Sequence, residues 1–156
     1  MTRTTEKKQK DERILIVQIT ESDIQFYQNW PLSDQIIADV ISKIQQNKPK
    51  VIGLDIYRDL PQPPGTKKLL EELQADNIIT ITNLDETVPA PPQVEEERIS
   101  FNDFVFDIDN VIRRNLMYVE IEEKPFYSFS LRISLAYLES ENYAFKVEPE
   151  ALYIGE

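Results

Sequence analysis

Lys50 to Tyr57 (KVIGLDIY) decides the fold when it is read with the segment before it, Arg13 to Ile19 (RILIVQI). Both runs are nearly continuous apolar sequence rich in β-branched residues, the composition of strands covered on both faces, as in a parallel sheet. Between them Ile36, Ile37, Val40, Ile41 and Ile44 recur on one wide helical face. Ser33 or Asp34 can cap that helix and Asn47-Lys48-Pro49 ends it. Strand, amphipathic helix and strand with short connections make a βαβ unit, right-handed by strong rule.

Reading outward, the loop Arg58 to Gly65 holds Pro61, Pro63 and Pro64, and Thr66 can cap a second helix carrying Leu69, Leu70 and Leu73. Asn77 to Asn83 (NIITITN) reads as a third strand, parallel to 13–19 and 51–57. Leu84 to Arg98, with Pro89, Pro91, Pro92 and five acidic residues, reads as a long surface connector. Ile99 to Phe106 and Val111 to Glu122 read as a β-hairpin around the turn Asp107 to Asn110, and Ser128 to Ser140 as a largely buried helix. Leu152-Tyr153-Ile154 can add one more short strand. The expected fold class is α/β: a layered βαβαβ core with parallel strands, then a β-hairpin and a C-terminal helix, with a mixed sheet. Residues 1–10 (MTRTTEKKQK) read as a disordered tail and residues 11–156 as one domain.

The 156-residue composition excludes much chemistry. Without cysteine there is no disulfide, thiolate nucleophile or Cys-based metal site, and without histidine there is no Ser-His-Asp arrangement. Gly53, Gly65 and Gly155 are the three glycines, too few and too scattered for a dinucleotide fingerprint or a phosphate-binding Walker loop. The net charge of −11 argues against broad capture of nucleic acid or an anionic membrane surface. No apolar run reaches the roughly 20 residues of a membrane span.

In open α/β sheets ligands settle beyond the carboxyl ends of parallel strands. Three segments are expected to converge there: Thr20, Glu21, Ser22 and Asp23; then Asp55, Tyr57, Arg58 and Asp59; then Asn83. Arg58, with its planar fork, is the expected anchor for an anionic group, and Glu21, Asp55 and Asp59 for amines, hydroxyls or a cation. In the competing reading Arg58 pairs with Asp55 or Asp59 and Asp23 caps a turn. Asp107-Ile108-Asp109-Asn110 lacks the glycine and distant glutamate of a calcium loop, so a structural turn without metal is expected. Arg113 and Arg114, consecutive on a strand, are expected to point to opposite faces. Trp30 is expected to plug a helix entry.

The order of these features resembles a known family. It runs from Arg13–Ile24 through Trp30-Pro31, Ser33-Asp34, Pro49–Pro61 and Pro64-Gly65 to Phe101-Asn102-Asp103, Asp107-x-Asp109 and Arg113-Arg114. It is similar to the CHASE domain of type two, the cyclase- and histidine-kinase-associated sensory extracellular family, over about Asp11 to Ser140. Asn110 stands where the family usually has glycine, and it preserves a left-handed turn. The family domain is longer and is attached to membrane helices, so the chain is expected to be its amino-terminal part, incomplete at the carboxyl end.

The resemblance implies a non-catalytic sensory input domain on the extracytoplasmic side of a bacterial receptor. It implies an unidentified small-molecule stimulus and a cyclase or kinase output. No cofactor, metal or nucleic acid is implied, contact with the membrane comes through flanking segments, and a homodimer is compatible. Two alternatives stay open: a carboxylate- and Mg²⁺-dependent hydrolase using Asp55 and Asp59, and a structural dimerisation module.

Overall fold

The computed structural model describes residues 11–85, 87–121, 124–148 and 151–155, so the expected amino-terminal tail lies outside the described residues. The chain divides into two units at Trp30/Pro31, each described by itself.

In the first unit, the segment expected as the opening strand belongs to no sheet, and Ile14, Leu15, Ile16 and Val17 are 57–81% exposed. Helix α1 (Glu21–Tyr27) follows, a helix that the sequence reading did not assign. A capping box starts it: the Thr20 amide donates to Asp23 Oδ2 (2.7 Å) and the Asp23 amide to Thr20 Oγ1 (3.4 Å). Gln28, in the left-handed region at φ 51°, ends it. Trp30 is exposed, not the buried plug expected.

The second unit is built on a three-stranded parallel sheet of β1 (Ile52–Gly53), β2 (Ile78–Thr82) and β3 (Ile99–Phe101), in the order β1-β2-β3. The α/β class with a mixed strand set stands, but the third parallel strand is β3 and not residues 13–19. β2 is the middle strand, and Ile78, Ile79, Thr80 and Ile81 are all buried. That is why NIITIT is apolar on both faces.

Helix α2 (Asp34–Gln45) lies against α3 (Thr66–Glu72). Ile37, Ala38 and Ile41 are its buried residues, while Val40, expected in the core, is exposed. Ser33 occupies the N-cap position of α2 without a side-chain cap bond. Asp34 is buried instead: its Oδ2 accepts from the Gln62 amide (2.8 Å) and from Thr66 Oγ1 (2.7 Å). This carboxylate ties the proline loop to the start of α2, and Gly65 (φ 99°) lets the two backbones meet. A Cβ on Gly65 would stand 2.4 Å from the Gln35 backbone.

Arg98 was invisible to periodicity, yet it is buried and caps α3. Its Nη1 donates to the carbonyls of Leu73 (2.7 Å) and Ala75 (3.1 Å), groups that a helix end leaves without partners.

Beyond β3 the expected hairpin is redistributed. β4 (Tyr118–Ile121) and β5 (Lys124–Tyr127) pair antiparallel, and helix α4 (Phe129–Ser140) follows with Ser128 as its cap. β6 (Ala144–Glu148) and β7 (Ala151–Gly155) form a second antiparallel pair, which includes the strand expected at 152–154. Helix α4 packs on all three strands of the parallel sheet. Gly53 is the point of closest approach: a Cβ there would lie 2.3 Å from Ile133 Cδ1 and 2.7 Å from Phe129 Cζ.

Candidate functional site

The carboxyl ends of β1, β2 and β3 meet as the parallel topology requires. Asn102 Nδ2 donates to Asp55 Oδ1 at 2.6 Å, joining the end of β3 to the end of β1. The Leu84 amide donates to Asp103 Oδ2 at 3.0 Å, joining β3 to β2. Tyr57 reports the shared field. Burial first, and then the carboxylates of Asp103, Asp55 and Asp85, push its phenol above the ordinary range. Asn83 organises its own loop by donating to Asp85 and to Thr87 Oγ1 (2.7 Å) and accepting from the Val88 amide (2.9 Å). Asp55 is exposed, although its strand is apolar, because the strand ends before it. Among the expected site residues, Asp55 and Tyr57 thus come together, with Asn83 in the adjoining loop.

The others are placed differently. Arg58, the expected anion anchor, is only 5% exposed. Its Nη2 donates to the Leu32 carbonyl (2.9 Å), and its Nη1 lies 3.8 Å from Asp34 Oδ1, so its charge faces Asp34 and not Asp55 or Asp59. Burial lowers its pKa, and the Asp34 carboxylate opposes this. The cause of the inward turn is the buried carboxylate of α2, which nothing in the local pattern around Arg58 announces. Asp59 makes no hydrogen bond or ion pair among the described residues. Thr20 and Asp23 form the capping box of α1, and Thr20 Oγ1 also lies 3.0 Å from Ser22 Oγ. Glu21 accepts from Gln25 Nε2 (3.1 Å) one turn on.

Sequence reasoning missed the neighbouring groove. Past the end of β3, residues 101–104, 112–115 and 128–130 line an open cavity of about 500 Å³. Phe101, Phe104, Ile112 and Phe129 make its apolar walls, and Asn102 and Asp103 are shared with the sheet-end cluster. Its outer wall is an arm running from Asn102 to Met117. The Asp107 amide donates to the Val111 carbonyl (3.1 Å), whereas Val105 pairs with Arg114. The stretch therefore makes one isolated antiparallel bridge and one turn hydrogen bond in place of the two continuous strands expected. Arg113 lies in no strand, so the alternation expected for the arginines does not apply, and both reach Asp107. Arg113 bonds both Asp107 (2.9 Å) and Asp109 (2.7 Å), and Arg114 also bonds Asp107.

Asp107 and Asp109 therefore hold the turn and its arginines, with Asn110 in the left-handed region at φ 58°. The Arg113 and Arg114 hydrogen bonds hold the Asp107 carboxyl below its usual range, and that of Arg113 does the same for Asp109. Phe104, Phe106 and Ile108, at alternate positions along the arm, are exposed. Among the described residues no group of three His, Cys, Asp or Glu is placed to hold a metal ion. Among them, too, no helix is long and apolar enough to cross a membrane.

Comparison with known proteins gives one match. The family model for the CHASE2 domain matches residues 1–154, nearly the whole chain and more than the span over which the motifs carry the likeness. No curated protein and no solved structure matches.

Proposed function

The chain belongs to the CHASE2 family of sensory extracellular domains, and from that premise we propose that it is the input domain of a bacterial transmembrane receptor. It takes a small extracellular ligand at the carboxyl end of the β1-β2-β3 sheet and biases a cyclase or kinase output domain through flanking membrane segments. The observation that supports this reading is the groove of about 500 Å³ beside Asn102 and Asp103, within the size range of small-molecule sites. Asp55 reaches the groove only through its hydrogen bond from Asn102, and Tyr57 and Asn83 belong to the adjoining sheet-end cluster. The ligand shifts the receptor only by its differential affinity for two arrangements of the domain, so a surface on a clipped, exposed arm is well suited to carry that difference.

A thermal-shift screen of the purified chain against amino acids, organic acids, sugars and nucleosides tests the reading, because a ligand that binds only the folded state raises its melting point. The expected result is stabilisation by a chemically coherent subset, lost in Phe104→Ala. Turnover of phosphate esters with Mg²⁺, abolished by Asp55→Asn, would replace the sensory reading with the hydrolase one.

A further inference from the structure

The groove carries both charge signs on apolar walls, and this narrows the chemistry of what fits it. Arg114 lines it and is largely exposed. Its Nη2 is bonded to Asp107, while its Nε and Nη1 have no hydrogen-bond partner among the described residues. Asp107 is shared between Arg113 and Arg114, whereas Arg113 also holds Asp109, so Arg114 is the less compensated of the two guanidiniums. An Nη1 or Nε group of an ionised guanidinium donates a charge-assisted hydrogen bond to a carboxylate.

Asp103 also lines the groove; it uses Oδ2 on the Leu84 amide, and its Oδ1 has no hydrogen-bond partner among the described residues. A carboxylate with a spare oxygen accepts from an ammonium group. Phe104, Ile112 and Phe129 supply surface that gains from covering an apolar side chain. The long-range field points the same way. A chain of net charge −11 disfavours free anions, and a zwitterion is indifferent to that field while still meeting both local charges.

We propose that the groove between residues 101–104, 112–115 and 128–130 binds a free α-amino acid with an apolar side chain, its carboxylate on Arg114, its ammonium on Asp103 and its side chain against Phe104 and Phe129. The inference rests on the sensory reading above and specifies its ligand class.

The test is calorimetric titration and thermal shift of the purified chain with L-leucine and L-phenylalanine, alongside three partial analogues. Isoamylamine lacks the carboxylate, 4-methylvalerate lacks the ammonium, and glycine lacks the side chain. Both amino acids should raise the melting point and all three analogues should not. Arg114→Gln and Asp103→Asn should each weaken binding about tenfold, the scale of one charge-assisted hydrogen bond, while Glu96→Gln in the acidic connector leaves it unchanged. The analogue series on the unaltered chain keeps the test valid if a variant folds poorly. Absence of stabilisation by either amino acid overturns the inference, as does equal stabilisation by 4-methylvalerate or isoamylamine. If a compound of another class stabilises the chain and loses its effect in Phe104→Ala, the inference fails and the sensory reading stands. If nothing in the screen binds, both fail.

Discussion

The sheet core and the arm at 102–117 are made from the same materials and use them in opposite ways. Each has apolar side chains at strand spacing and aspartate facing arginine. In the core, Ile78, Ile79 and Ile81 are buried and Asp34 faces Arg58 out of water. On the arm, Phe104, Phe106 and Ile108 face solvent, and Asp107 and Asp109 hold Arg113 and Arg114 at the surface. Burial turns such groups into stability, because apolar area leaves water and an unpaired buried charge is costly. Exposure leaves them available to something else, and the groove lies where the arm begins.

The sharpest way to break this contrast is to remove one carboxylate from each region. Asp34→Ala strands the buried Arg58 guanidinium and frees the Gln62 amide and Thr66 hydroxyl, and should cost about 3–5 kcal/mol in urea unfolding. Asp109→Ala removes only exposed bonds and should leave the urea midpoint unchanged. Equal losses would mean that the arm stabilises the fold as much as the core does.

The apolar residues give the next largest difference. Ile79→Ala, in the middle strand, should cost about 2–5 kcal/mol, and Phe106→Ala on the arm about 0.5 kcal/mol or less. Backbone conformation gives a third. Gly65→Ala meets the Gln35 backbone at 2.4 Å as well as an unfavourable φ, and should cost about 3 kcal/mol. Asn110→Ala meets only the unfavourable φ and should cost about 1 kcal/mol.

The smallest effect is in acid. Asp107 and Asp109 have folded pKa values below the ordinary one, so their contribution is complete above about pH 4, the unfolded value. It is lost as pH falls from there through the folded values. The Arg113 guanidinium N–H resonances should therefore begin to broaden below about pH 4, with Asp109→Asn moving the onset upward.

How far the sequence led depends on where partners come from. NIITIT and RILIVQI are equally strand-like in composition, yet β2 lies between two neighbouring strands and Ile14 to Val17 stand exposed. Composition reports a preference for covered faces, and the pairing that satisfies it is non-local. β3 lies inside the run 99–106 that reads as a hairpin strand; its parallel pairing with β2 is non-local, and nothing within the run announces it. Helix α2 and helix α4 were legible because 12 residues each show their faces and caps.

At the site, strand order made the ends of β1 and β2 legible through Asp55, Tyr57 and Asn83. Arg58 misled because its partner Asp34 lies 24 positions back, on another element. The groove was hidden because one of its walls, residues 112–115, makes only an isolated bridge where a continuous strand was expected.

Hydrogen–deuterium exchange on the purified chain, with and without saturating L-leucine, tests most directly whether recognition resides at the carboxyl end of the sheet. The account predicts slowed exchange in peptides covering residues 101–104, 112–115 and 128–130, with α2 and α3 unchanged. Protection confined to residues 34–45 or 66–72, or no protection anywhere at a concentration that raises the melting point, would contradict it.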